Sequence, residues 1–157
     1  MSEPDPFFFF QQEEEGEPGF FFHAEDVDIP ALEEPALEAW LNTVVLREGK
    51  KLGIVNFIFC SDTFLHEINV TYLQHDTYTD IITFPYSEML VSGDIYISTD
   101  RVKENAVKYG VPFDNELHRV IVHGVLHLCG YTDATPEEKK NMTGKENEYL
   151  QQLSSNF

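Results

Sequence analysis

Lysine and arginine are absent from the first 46 residues of this 157-residue chain, a stretch that carries 12 acidic side chains. The remaining 16 acidic residues face all 10 basic ones in residues 47–157, so two thirds of the net charge of −18 belongs to the N-terminal third. No part of the chain has the basic footprint of a tight nucleic-acid binder. The later, mildly acidic part nevertheless opposes a phosphate-bearing partner less than the total charge suggests. Cysteine is scarce as well: Cys60 and Cys129 are the only two. Two cannot make a disulfide framework, and each sits in an apolar stretch, which points to buried free thiols in a reducing cytoplasm. No uncharged apolar run approaches the ~18 residues of a membrane span, so a membrane partner is not expected. The start lacks the basic residues and the longer apolar core of a secretory signal. No internal repeat is present.

The chain has 42% hydrophobic residues and 13 phenylalanines, enough for one real core at this length. Residues 1–19, with Phe7 to Phe10, Gln11-Gln12 and Glu13 to Glu15, read as a low-complexity extension. Residues 20–157 read as one domain. Phe20–Ala24, Gly53–Cys60, Asp80–Pro85 and Gly93–Ser98 are expected strands, the last two side by side. Pro85 marks a strand end or an edge, because it has no N–H to donate. A helix is expected over 31–48, where Leu37, Trp40, Leu41, Val44 and Val45 recur at helical spacing before Gly49. A second begins at a Ser61 or Asp62 cap, with Phe64, Leu65, Ile68 and Tyr72 on its apolar side. A third runs from Thr99 or Asp100 to Gly110, and a fourth spans 114–129, apolar around much of its girth and therefore central. Thr135-Pro-Glu-Glu138 is a capping box with proline at the first helical position and opens a fifth. Strands and helices interleave without strict alternation. The expected class is α+β, a small mixed four-stranded sheet packed with about five helices, the His-bearing helix in the middle.

Chemistry concentrates in His123-Gly-Val-Leu-His127-Leu-Cys-Gly130-Tyr-Thr-Asp133. Two histidines four apart leave the same side of a helix. Gly130 stops that helix, and Asp133 can return an oxygen ligand from the next loop. Such a set encloses a Zn²⁺ on three sides with a fourth position open, as catalytic rather than structural zinc requires. Mn²⁺, Fe²⁺ or Ni²⁺ would also suit these donors. Cys129, two residues past His127, points to a different helix face. The Glu that serves as base in a zinc-protease His-Glu-x-x-His helix would stand at 124, where this chain has Gly, and that counts against peptide hydrolysis. A glycine there lets another backbone or a substrate approach the helix.

His123-Gly-x-Leu-His127-Leu-x-Gly-Tyr131 with a third ligand at 133 resembles the signature of the YbeY family. Upstream, Ile68-Asn69-x-x-Tyr72, Asp76 and Thr79-Asp80-Ile-Ile-Thr-Phe84-Pro85 are similar to that family's Leu-Asn…Asp…Thr-Asp-Val-Leu-Ser-Phe-Pro block, and Gly93-Asp94-Ile95 to its Gly-Asp-Ile strand. The resemblance covers about residues 20–153. It implies a zinc-dependent, single-strand-specific endoribonuclease of the bacterial cytoplasm acting in 16S ribosomal RNA maturation and ribosome quality control. The implied partners are single-stranded 16S precursor RNA, the small ribosomal subunit and its associated proteins, with no DNA. His123, with a possible direct catalytic role, His127 and Asp133 would hold the metal.

Two departures stand out. The family's usual third ligand is histidine. The charge of Asp133 would oppose ionisation of water at the metal, so a more alkaline activity optimum is expected. Family members commonly place arginine at the position of Leu73, where it is implicated in RNA handling. Leucine cannot grip a phosphate; His75, Arg101, Lys103 or Arg119 are the candidates to substitute. Asn69, Asp76, Thr79 and Asp80 are candidate supporting residues that order a loop over the cleft, although Thr and Asp before a strand often just satisfy backbone groups. Tyr131 could stack an unpaired base or pack under the metal loop. The competing function class is a non-enzymatic small-subunit assembly factor whose zinc fixes the fold.

Overall fold

The computed structural model describes residues 16–154. In chain order the elements are β1 (Gly19–Ala24), α1 (Glu34–Arg47), β2 (Leu52–Cys60), α2 (Asp62–Leu73), β3 (Ile81–Pro85), β4 (Val91–Ser98), α3 (Thr99–Tyr109), α4 (Phe113–Leu128) and α5 (Pro136–Ser154). The strands form one sheet in the order β1-β2-β4-β3. β1, β2 and β4 run parallel, and β3 pairs antiparallel with β4. This is the mixed four-stranded α+β arrangement expected, with five helices among the described residues.

Placement in the sheet follows composition. β2 is a nearly continuous apolar run, and β4 pairs Ile95-Tyr-Ile97 with the small Ser92, Gly93 and Ser98 and the hydrogen-bonded Asp94; both are buried along nearly their whole length, as central strands are. β3 ends at Pro85, which has no N–H to offer a further strand, and it occupies an edge. Residues 1–15, which hold most of the low-complexity stretch, lie outside the described residues.

Helix boundaries moved where local chemistry outweighs the apolar pattern. α1 begins at Glu34 rather than 31, because Pro35 is tolerated only in the first turn. Ser61 caps α2 by accepting from the Phe64 N–H (3.1 Å). α3 is capped by Ser98, one residue before the expected pair. Its hydroxyl accepts from the Arg101 N–H (3.1 Å), while Thr99 already has helical backbone. The Thr135 hydroxyl accepts from the Glu138 N–H (3.1 Å), the first half of the expected capping box.

α4 is the central helix. Leu117, Val120, Ile121, Val122, Val125 and Leu126 are all buried, and the helix lies against the sheet at Gly124. A Cβ there would come 2.8 Å from Ile95 Cγ2 and 3.0 Å from Ile81 Cδ1. The glycine therefore admits two sheet side chains, rather than a backbone or a substrate. Asp94, next to Ile95, points to the opposite face, where it is fully buried and accepts from Asn56 (3.2 Å) and from the Tyr86 hydroxyl. His123 and His127 stand about 100° and 60° round the helix from Gly124, on one side of it, and line the cleft beside β3.

Candidate metal centre

His123 Nε2 and His127 Nε2 lie 3.0 Å apart, their rings nearly perpendicular at 82°. Gly130, with φ +108°, turns the chain out of α4 in a conformation that side chains rarely adopt. Three residues later Asp133 Oδ2 stands 3.3 Å from His123 Nε2 and 3.5 Å from His127 Nε2. Among the described residues this is the one group of three or more His, Cys, Asp or Glu placed to hold a metal ion. Cys129 is buried and outside it, and burial pushes its thiol up to about 11.

Both imidazoles are fixed from behind. His123 Nδ1 donates to Glu146 Oε2 (2.6 Å), a carboxylate that also takes the Arg119 guanidinium (2.8 Å). His127 Nδ1 donates to the Tyr131 carbonyl (2.9 Å). A carbonyl and a carboxylate only accept, so both protons belong on Nδ1 and the neutral rings present bare Nε2 lone pairs. Two lone pairs and a carboxylate oxygen then converge on one point with no proton among them. Such a set repels itself unless a cation sits there, either a metal ion or one extra proton.

Electrostatics follow the same division. For His123, burial opposes the charged form, but the hydrogen bond and charge of Glu146, then Asp133 and Asp80, outweigh it and the pKa is raised. For His127, burial and then the charge of His123 lower it, against Asp133 and the Tyr131 carbonyl. A proton in the site thus resides on His123, where a metal ion must displace it. Asp80 and Glu116 are both raised chiefly by burial.

The centre opens into a cleft of about 1620 Å³. Asn69, Leu73, His75, Thr79, Asp80, Arg119 and Tyr131 line it; Asp76 does not. Asp76 is exposed and pairs instead with His66 (2.7 Å). Asn69 donates to the Thr77 carbonyl (2.9 Å) and the Thr79 hydroxyl to the Ile81 carbonyl (3.3 Å), so both order the segment ahead of β3. Tyr131 packs against the core and donates its hydroxyl to Glu48 Oε1 (2.7 Å) while also lining the cleft. Arg119 is the one Lys or Arg among the cleft-lining residues, and it is tied to Glu146 and to Asn147 (2.7 Å). Arg101 is held by Asp62 (2.8 Å) and Glu104 (3.2 Å), and neither it nor Lys103 reaches the cleft lining.

Glu146 is a functional residue that reading the sequence missed. Met142, Tyr149 and Leu153 are the buried stripe of α5, and Glu146 sits inside that stripe, four residues after Met142. A carboxylate on the apolar face of a helix has to be paired, and that misfit was the available signal.

Residues 22–154 match the profile of the family described as Endoribonuclease YbeY. The "Endoribonuclease YbeY" of Parabacteroides distasonis is 47% identical over 130 residues, 82% of this chain and 92% of that protein. The protein of the same name from Flavobacterium psychrophilum is 48% identical over 126 residues, 80% of this chain and 90% of its own. The solution structure of a Thermotoga maritima target protein superposes with a TM-score of 0.63 at 30% identity, covering 87% of this chain and 90% of that one. The chain belongs to the YbeY family.

Proposed function

We propose that this protein is a zinc-dependent, single-strand-specific endoribonuclease that works in 16S ribosomal RNA maturation and ribosome quality control. Its partners would be precursor RNA and the small subunit with its associated proteins, in the cytoplasm. The names of its relatives support a hydrolase acting on RNA. The metal dependence rests on one observation: two Nε2 lone pairs and the Asp133 carboxylate meet at 3.0–3.5 Å with both Nδ1 protons already committed elsewhere.

Two imidazoles and a carboxylate suit Zn²⁺, which would supply Lewis-acid polarisation of a phosphoryl oxygen. The chain's own groups do the rest. Glu146 and the Tyr131 carbonyl hold the rings with Nε2 facing the cleft. Asp133 brings a compensating charge. Leu73 and the committed Arg119 leave no free Lys or Arg along the cleft lining to hold a phosphate. Affinity for RNA would then come from the metal, from His75 and from uncharged contacts.

The same shortage favours the second reading, a ribosome assembly factor whose metal fixes the fold. Incubating the purified protein with single-stranded RNA, with and without chelator, separates the two. Cleavage abolished by chelator and by His123→Ala supports the nuclease. Binding of RNA or of small subunits without any cleavage supports the assembly factor.

A further inference from the structure

The residues that hold the two imidazoles both lead back to one side chain far from them in sequence. Glu48 follows the last residue of α1, and its side chain is only 10% exposed. One carboxylate oxygen accepts the Tyr131 hydroxyl (2.7 Å) and the other the Tyr149 hydroxyl, with Lys145 Nζ at 3.6 Å. Tyr131 lies between the ligands His127 and Asp133 in the chain, and its carbonyl is the acceptor for His127 Nδ1. Tyr149 lies one turn beyond Glu146 on α5, and Glu146 is the acceptor for His123 Nδ1.

We propose that Glu48 is a positioning residue for the metal centre, pinning through the Tyr131 and Tyr149 phenols the two groups that orient His127 and His123. It touches neither ligand. A phenol held at its far end by an ionised carboxylate restrains the backbone of Tyr131, and with it the carbonyl presented to His127 Nδ1. Charge-assisted hydrogen bonds of this kind are about twice as strong as neutral ones. Consistent with that geometry, burial opposes the ionised form of Glu48, but the Tyr149, Tyr131 and Lys145 donors outweigh it and the pKa is lowered. Burial and Glu48 push the Tyr131 phenol up to about 12, which keeps it a donor.

The inference rests on the reading of His123, His127 and Asp133 as metal ligands, and the test separates the two. Zn²⁺ affinity is measured by competition with a chromogenic chelator for the wild type, Glu48→Ala, Glu48→Gln, Tyr131→Phe and Glu48→Ala/Tyr131→Phe. The ¹⁵N shifts of His127 report its tautomer in the metal-free proteins. Glu48→Ala and Tyr131→Phe should each weaken Zn²⁺ binding at least about 10-fold, the usual loss when the partner behind a ligand is disturbed. The double variant should lose less than the product of the two, because both remove the shared Glu48–Tyr131 contact. The Nδ1–H tautomer of His127 should fall in both single variants. Glu48→Gln keeps one acceptor oxygen and should lie between wild type and Glu48→Ala, which covers the case where the alanine variant folds poorly. Wild-type affinity and tautomer in Glu48→Gln and Tyr131→Phe, with only a lower Tm, would make Glu48 a mere strut and overturn the inference. A wild type that binds no Zn²⁺ would instead sink the metal reading, and the tautomer measurement would still decide the role of Glu48.

Discussion

Adding one methyl group at Gly124 should have the opposite effect from adding it at Gly144, although both glycines lie inside helices. Alanine gains about 1 kcal/mol over glycine in a helix interior. At Gly144 a Cβ would meet nothing within 4 Å, so Gly144→Ala should stabilise by that amount, roughly 2–4 °C in Tm. At Gly124 the new Cβ would stand 2.8 Å from Ile95 Cγ2, with Ile95 Cδ1 and Ile81 Cδ1 at 3.0 Å. Ile95 is branched and wholly buried, so it cannot swing aside. Overpacking of this kind costs about 1–3 kcal/mol, and two stiff contacts place it in the upper part of that range. Set against the helix gain, Gly124→Ala should lose about 1–2 kcal/mol. Relief would require α4 to lift from the sheet, carrying His123 and His127 away from Asp133 and Glu146, so Zn²⁺ affinity should fall as well. Thermal melts of the metal-free proteins, with chelator competition for the metal, decide the matter. A Gly124→Ala protein as stable as wild type would refute the claim that this glycine exists to let the helix meet the sheet.

Glu146→Gln keeps the shape of the His123 partner but removes the charge shared with Arg119. It should weaken Zn²⁺ binding by about 10–100-fold at pH 8, and an unchanged chelator competition would count against the role assigned to Glu146. Because the raised pKa of His123 favours its protonated form, metal binding should release a proton at pH values below that pKa. Affinity should then drop about 10-fold per pH unit of acidification below it; calorimetry in buffers of different ionisation enthalpy would show no proton release if this assignment is wrong. Metal-free stability has the matching sign on His123's account: the contribution is full below the ordinary histidine pKa and is lost as pH rises through the raised one. Asp133→His should move the pH–rate profile of RNA cleavage toward acid, whereas an unchanged or more alkaline profile would show that the aspartate does not set the optimum. Deleting residues 1–19 should tighten RNA binding at low salt, where the acidic stretch is least screened, and equal affinities would show that its charge is irrelevant.

Much of the architecture was legible because local chemistry and burial agree. The strands expected at 53–60 and 93–98 form the buried central pair of the sheet, and the helix apolar around much of its girth, which carries His123 and His127, is the central helix. Pro85 announced a strand end or an edge, and it closes β3, which is an edge strand. The boundaries slipped where a cap or a proline decided the start, at Ser98 and Pro35. Within the cleft, the motif placed His123, His127 and Asp133 within reach of one another by spacing alone. Asp76 could not be placed this way: its nearness in sequence to Asn69 and Thr79 says nothing about the turn that aims it at His66.

By itself, then, the sequence determined the parts that depend on short spacings: the helical His pair, the glycine turn that returns a carboxylate, and the apolar runs that make a four-stranded sheet. Only the tertiary structure decided what stands behind those ligands. Glu146 lies 23 residues from His123, and Glu48 lies 83 residues from Tyr131. Contacts across such separations form only when α1, α4 and α5 close around one core. No local rule of periodicity or capping links those residues, so the orientation of the two imidazoles became visible only once the helices were packed.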